Sequence, residues 1–183
     1  MKALLTSAGF ENPAIMDSFL RMIGKPQSEI RALFVPTAAI NPDAIGMLPK
    51  CMNDLLSAGI PKDHITVYDL HCAMNYATLR KYDAIYFCGG DAAYLIRRIN
   101  DSGFRRRLLR FIREGGVYVG VSAGSYVAAR NVRKGLELLD AELLVHQERG
   151  SPVGPLEATT NTPIPLTDRQ AIVIDGDRRE IVG

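Results

Sequence analysis

The sequence predicts an α/β protein built on a doubly wound, mostly parallel sheet with helices on both faces. Three observations predict it. Short apolar runs alternate with segments of helical periodicity through the first two thirds of the chain. One of those runs, 32–35, is continuously apolar, as a strand covered on both faces is. Three of the runs end in glycine-bearing turns: Ser7-Ala8-Gly9, Cys88-Gly89-Gly90-Asp91 and Val121-Ser122-Ala123-Gly124. In a parallel sheet those turns share the carboxyl rim, where such folds bind ligands. With 183 residues, 47% of them hydrophobic, the chain suits one compact domain over 1–183.

The elements follow in order. Residues 3–6 form a first strand, and Asn12-Pro13 opens a helix whose apolar positions Ile15, Met16, Phe19, Leu20 and Ile23 recur at helical spacing until Gly24 stops it. A second strand at 32–35 leads through Pro36 to a helix at 43–58, which Pro49 divides or kinks. A third strand is expected at 65–70, a short helix at 76–81 and a fourth strand at 84–88. Asp91 then serves as N-cap of a helix reaching about residue 100. A helix at 104–113 precedes the strand ending in Ser122. Beyond Val132 the alternation gives way to short strands at 143–145 and 171–174, joined by a Pro/Thr-rich segment over 151–167.

Gly120-Val121-Ser122-Ala123-Gly124 has the pattern of a nucleophile elbow, a sharp strand-to-helix turn that projects one hydroxyl. A serine hydroxyl needs a base within hydrogen-bond reach, and the chain holds three histidines. His64 precedes a strand and so belongs to the far rim. His71 and His146 follow strands, and His146 is the favoured base, with His71 as the alternative. An acid should orient that base. Glu137, Asp140, Glu142 and Glu148 are all near the interval between serine and histidine, and spacing does not choose among them; Glu137 and Asp140 are the leading candidates. Oxyanion donors are expected at the N–H of Ala123 and at Gly90, with Gly89 and Asp91 completing the substrate-binding turn. Cys88 competes as nucleophile from the same rim, although a buried, inert thiol is its commoner role.

Other classes of function find little support. The net charge of +2 and the helical placement of Arg97, Arg98, Arg105, Arg106, Arg107, Arg110 and Arg113 read as a solvated face, so no nucleic-acid partner is expected. No apolar stretch has membrane-spanning length, and no secretory leader is visible, so no membrane partner and a cytoplasmic location are expected. The three cysteines are too unevenly spaced for a disulfide framework or a zinc knuckle. Neither a cofactor motif nor metal-ligand spacing is present, and neither group is expected. Oligomeric state is open, a homodimer included.

Cys-Gly-Gly-Asp followed by Leu95, then Gly-Val-Ser-Ala-Gly-Ser at 120–125, then Leu-Glu-Leu-Leu-Asp at 136–140 with His146 beyond, resembles the peptidase E family of serine peptidases. The stretches 4–9, 33–38 and 166–171 fit as well, so the resemblance spans nearly the whole chain. It implies a class I glutamine amidotransferase-like, flavodoxin-like fold. It also implies a nucleophile at Ser122, a base at His146, and backbone positions at Gly90 and Ala123 around the oxyanion. Serine in place of the amidotransferase cysteine argues against ammonia transfer. The family includes aspartyl dipeptidases, and a cationic pocket for an aspartyl substrate could draw on Arg130, Arg133, Arg149 or Arg169. The segment 131–135 is shorter than its family counterpart. The expected activity is cleavage of a small peptide or related amide by a serine peptidase. The competing readings are a non-catalytic small-ligand-binding protein without a complete triad and, more remotely, an esterase of another α/β family.

Overall fold

The computed structural model describes residues 1–157 and 161–183. Its centre is an eight-stranded sheet. Strands β1 (Lys2–Thr6), β2 (Ala32–Val35), β3 (Ile65–Val67), β4 (Ala84–Phe87) and β5 (Val117–Val121) run parallel in the order β3-β2-β4-β5-β1. Strands β9 (Ala171–Asp175), β10 (Arg178–Val182) and β7 (Gly154–Pro155) extend the sheet antiparallel beyond β1. A separate parallel ribbon pairs β6 (Leu143–Leu144) with β8 (Ile164–Pro165).

Helices cover both faces. Helices α1 (Pro13–Ile23) and α3 (Leu48–Ser57) set Ile15, Phe19, Met22 and Leu55 against Leu4, Phe34, Tyr86 and Val119 on one face. Helices α5 (Ala92–Asp101), α6 (Phe104–Arg113) and α7 (Ala123–Ala128) set Leu95, Ile99, Leu108, Phe111 and Val127 against Leu5, Leu33, Ile85, Phe87 and Tyr118 on the other. Every residue of β2, β4 and β5 is buried, which accounts for their unbroken apolar runs.

Local signals act as their chemistry dictates. Asn12 accepts a hydrogen bond from the Ala14 N–H and caps α1, and Gly24 ends that helix with φ 68°. Asp91 accepts from the Tyr94 N–H at 2.7 Å and caps α5. The single helix expected over 43–58 is two, α2 (Pro42–Gly46) and α3, separated at Met47. Pro49 falls in the first turn of α3, where its missing N–H would have had no intrahelical partner. The third strand is three residues long, ending at Val67, and the short helix α4 covers Tyr76–Leu79. The Pro/Thr-rich segment over 151–167 contains β7 and β8, and its residues 158–160 lie outside the described residues. Among the described residues no helix is long and apolar enough to cross a membrane.

Candidate active site

Strand register brings the turns together. Thr6 pairs with Val121, and Phe87 pairs with Gly120, so Ser7, Ser122 and the Cys88-Gly89-Gly90 turn emerge side by side at the carboxyl rim. On the other flank Thr6 pairs with Ala171 of antiparallel β9, which places the residues just before Ala171 on the same rim. Hydroxyls tie the rim together. Thr6 Oγ1 donates to the Gly120 carbonyl at 3.1 Å, and Ser125 Oγ reaches the carbonyls of both Thr6 and Gly120 at 2.8 Å.

Ser122 sits at the turn between β5 and α7 with φ 49° and ψ −104°. A serine there carries backbone strain, of the kind that persists only where the surroundings over-determine it. The surroundings do so here. A Cβ at Gly120 would fall 2.6 Å from the Gly124 carbonyl carbon, and one at Gly124 would fall 2.7 Å from the Phe87 carbonyl oxygen. The turn therefore closes only with glycine at both positions. Tyr118 Oη donates to the Gly124 carbonyl at 2.6 Å and pins the turn from below.

His146 arrives from the β6–β8 ribbon. Asn131 clamps Leu143 through both amide atoms, at 2.7 and 2.9 Å, and the Gln147 N–H donates to the Leu166 carbonyl at 3.0 Å. The short 131–135 segment thus anchors the strand that carries the histidine, and Leu136, Leu138 and Leu139 beyond it are buried. His146 itself adopts φ 59°, and its N–H donates to Ser7 Oγ at 2.7 Å. Its Nε2 is 3.0 Å from Ser122 Oγ, and its Nδ1 is 2.6 Å from Asp168 Oδ1. Ser7 Oγ donates to the same Asp168 oxygen at 3.1 Å, so one hydroxyl holds the histidine backbone and the carboxylate behind it. The ring and the carboxylate are about half exposed, with side-chain accessibilities of 50% and 58%.

The acid behind His146 is therefore Asp168, not Glu137 or Asp140. Asp140 pairs with Arg130 at 3.5 Å. Glu137 is exposed between the buried Leu136 and Leu138, with φ 58°, where the loop turns. Both belong to a stretch whose leucines fold inward, which turns its carboxylates outward. Ser7 is a further participant not foreseen as one; its place beside Ala8-Gly9 on the shared rim was the available signal.

The other residues singled out by sequence divide. Gly89 and Gly90 line a cavity of about 150 Å³ beside Ser122 and His146, together with Ser7, Ala8, Cys88 and Val121. A Cβ at Gly89 would touch the Ser122 Cβ at 3.4 Å, and one at Gly90 would overlap the Ala38 carbonyl oxygen at 2.0 Å. Ala123 opens α7, so its main-chain N–H has no intrahelical partner. Asp91 stays with its helix cap and does not line the cavity. Helices α2 and α3 supply the far wall through Ala44, Met47, Lys50 and Cys51.

Cys88 is 1% exposed, and burial pushes its thiol well above the ordinary range, away from the thiolate a nucleophile needs. The neighbouring Cys88 side chain draws the buried Cys51 thiol downward in pKa. Asp54 is buried beneath the Ser7–Gly9 turn, and burial raises its carboxyl to about 6 although it accepts from Tyr86 Oη at 2.5 Å and the Phe10 N–H at 3.1 Å. His64 hydrogen-bonds the Ile30 carbonyl at 3.2 Å, on the opposite rim. His71 pairs with Asp69 at 2.6 Å and with Tyr94 Oη at 3.0 Å. No cluster of three His, Cys, Asp or Glu side chains able to hold a metal occurs among the described residues.

Known proteins resemble this chain in sequence and in fold. The sequence model of peptidase family S51 matches residues 3–142. An uncharacterized peptidase of Pasteurella multocida (strain Pm70) is 23% identical over 206 aligned positions, covering 100% of this chain and 98% of that protein. The crystal structure of a candidate peptidase E from Listeria monocytogenes EGD-e superposes with a TM-score of 0.74 at 19% identity, covering 99% of this chain and 97% of that one. A peptidase from an acI-B1 actinobacterium gives a TM-score of 0.70 at 21% identity, covering 100% of this chain and 87% of that one. These two likenesses establish a shared α/β architecture, consistent with the class I glutamine amidotransferase-like fold.

Proposed function

Because the chain belongs to peptidase family S51, a family of serine-type hydrolases, we propose that it cleaves short peptides or related amides through an acyl-enzyme on Ser122. The observation that carries this reading is the continuous contact from hydroxyl to imidazole to carboxylate, 3.0 Å and then 2.6 Å, at a strained elbow.

His146 Nε2 takes the Ser122 proton as Oγ attacks the substrate carbonyl, then returns it to the departing amine. Asp168 holds the ring in the tautomer with a proton on Nδ1 and stabilises the imidazolium that forms. Ser7 keeps that carboxylate in line. The N–H groups of Ala123 and Gly90 receive the negative charge on the carbonyl oxygen, a contribution that typically costs about 3–4 kcal/mol when one donor is removed. Water admitted at the open rim then attacks the acyl group, with His146 again as base.

The non-catalytic reading required an imidazole remote from Ser122 with no acid behind it. The observed distances support catalysis instead. A fluorophosphonate probe with intact-mass detection tests the reading. One adduct per chain, lost in Ser122→Ala, is expected; absence of labelling between pH 6 and 9 would overturn it.

A further inference from the structure

Resting on this serine-peptidase reading, we infer that Asp54 is a positioning residue of the active site. From helix α3 it seats the Ser7–Phe10 turn, and through Ser7 it sets the alignment of His146 with Asp168.

The turn is held on two sides. Toward the site, Ser7 Oγ accepts from the His146 N–H at 2.7 Å and donates to Asp168 Oδ1 at 3.1 Å, so a displaced Ser7 moves base and acid relative to each other. Toward α3, the Phe10 N–H donates to Asp54 Oδ2 at 3.1 Å. Gly9, at φ 95°, passes so close that a Cβ there would fall 2.3 Å from the same oxygen. Lys50, one turn earlier on α3, reaches Glu11 Oε1 at 2.6 Å and adds a second tie between helix and segment.

The turn has little else to keep its shape. Two successive N–H groups are satisfied by side chains, Gly9 by Thr6 Oγ1 at 3.0 Å and Phe10 by Asp54. Among the described residues no main-chain carbonyl accepts from either. Thr6 belongs to β1 and fixes the near end, which leaves Asp54 to fix the far one. Asp54 is 8% exposed, and Tyr86 Oη donates to its Oδ2 at 2.5 Å, so the carboxylate is itself held from β4. Without an acceptor at position 54 the Phe10 N–H faces a buried side chain that cannot bond it, and the turn relaxes toward water to satisfy it.

The test measures kcat and KM on one peptide amide, with fluorophosphonate labelling rates on the same full-length samples. Asp54→Asn, whose side-chain oxygen still accepts from Phe10, should keep kcat within about threefold. Asp54→Leu, of similar size but without an acceptor, should lower kcat and the labelling rate on the order of 10- to 100-fold with KM little changed, since a misplacement of about 1 Å has that effect. Gly9→Ala pushes the turn off the carboxylate and should do the same; it carries the comparison if Asp54→Leu does not fold. In a Ser7→Ala background neither substitution should lower kcat by more than about twofold further, because the coupling runs through Ser7. A mere loss of folded protein would instead add to the Ser7→Ala loss. Additive losses, or an Asp54→Asn as impaired as Asp54→Leu, overturn the positioning role and leave the hydrolase standing where the unaltered enzyme labels. Unaltered enzyme that neither labels nor turns over any amide overturns both.

Discussion

The molecule holds two histidine–carboxylate relays on the rim where its parallel strands end, and they differ instructively. In one, Asp168, His146 and Ser122 are linked at 2.6 and 3.0 Å. In the other, Asp69, His71 and Tyr94 are linked at the same two distances. Solvent exposure is alike too, with both imidazoles about half accessible. Hydrogen-bond geometry at the histidine therefore does not distinguish a catalytic candidate from a surface contact. What distinguishes them is the hydroxyl end. Ser122 is fixed at φ 49° by a turn that only glycines permit, beside a cavity and next to main-chain N–H groups. Tyr94 lies in the first turn of α5, ordinary helix, and neither it nor His71 borders the cavity beside Ser122. A nucleophile is made by the ground beneath it as much as by its base.

The largest expected effects separate the relays directly. Ser122→Ala should lower kcat/KM by roughly 10⁴-fold or more, as loss of a triad nucleophile does. Asp168→Asn should lower kcat roughly 10³-fold with KM little changed, because an amide behind His146 favours the wrong tautomer and leaves the imidazolium unsupported. Asp69→Asn, the same chemical change in the other relay, should leave kcat within about twofold. Steady-state kinetics on one peptide amide checks all three, and equal losses from the two asparagine variants would abolish the distinction drawn here.

The comparison also explains what could be read from the sequence. Four of the five parallel strands and the helices between them were legible because burial on both faces writes apolar runs and 3.6-residue spacing into the chain, whereas β3, partly exposed, is half the expected length. The elbow was legible because its glycines are sterically compelled. His146 was reachable as a histidine at the end of a strand-like run. Asp168 was not, because the acid was sought near the interval between serine and histidine. It lies 22 residues beyond the histidine, in the Thr167–Gln170 turn before β9, and it reaches the rim only because β9 runs antiparallel to β1. A parallel strand would have put that turn at the opposite rim. Of the antiparallel flank only β9 was legible: β7 is two residues long, as is β8 of the separate ribbon, and β10 is written with Arg178, Arg179 and Glu180. Strands that short or that polar carry no period to count.

A third carboxylate sharpens the contrast by burial. Asp54, beneath the same rim, accepts from a phenol as the histidine of the second relay does, but it is 8% exposed and its carboxyl is raised to about 6. The unfolded chain loses that proton near pH 4 and the folded protein near pH 6, so the folded state binds more protons between those values. Stability should therefore fall as pH rises from 4 to 6, by roughly 2–3 kcal/mol from this group, and change little from it above pH 6. Asp54→Asn should flatten that part of the profile. Denaturant midpoints measured at pH 4, 5, 6 and 7 for both proteins give the answer, and parallel curves would show that Asp54 is not the group responsible.

The smallest expected effect bears most closely on the second relay. In His71→Ala, Asp69 keeps the hydroxyl of Thr37 at 3.1 Å, and the backbone N–H of residue 71 stays available to it, so no buried acceptor is left without a donor. Tyr94 Oη, at the surface, exchanges the imidazole for water. An exposed pair of this kind is worth about 1 kcal/mol or less, so the denaturation midpoint should move little. Because neither Ser122 nor the cavity touches His71, turnover should stay within about twofold at every pH where the enzyme is active. A tenfold loss would mean that the second relay orients the Gly89-Gly90-Asp91 turn through α5, whose first turn Asp91 and Tyr94 share. In that event Tyr94→Phe, which breaks the contact to His71 while keeping the ring, should reproduce the loss.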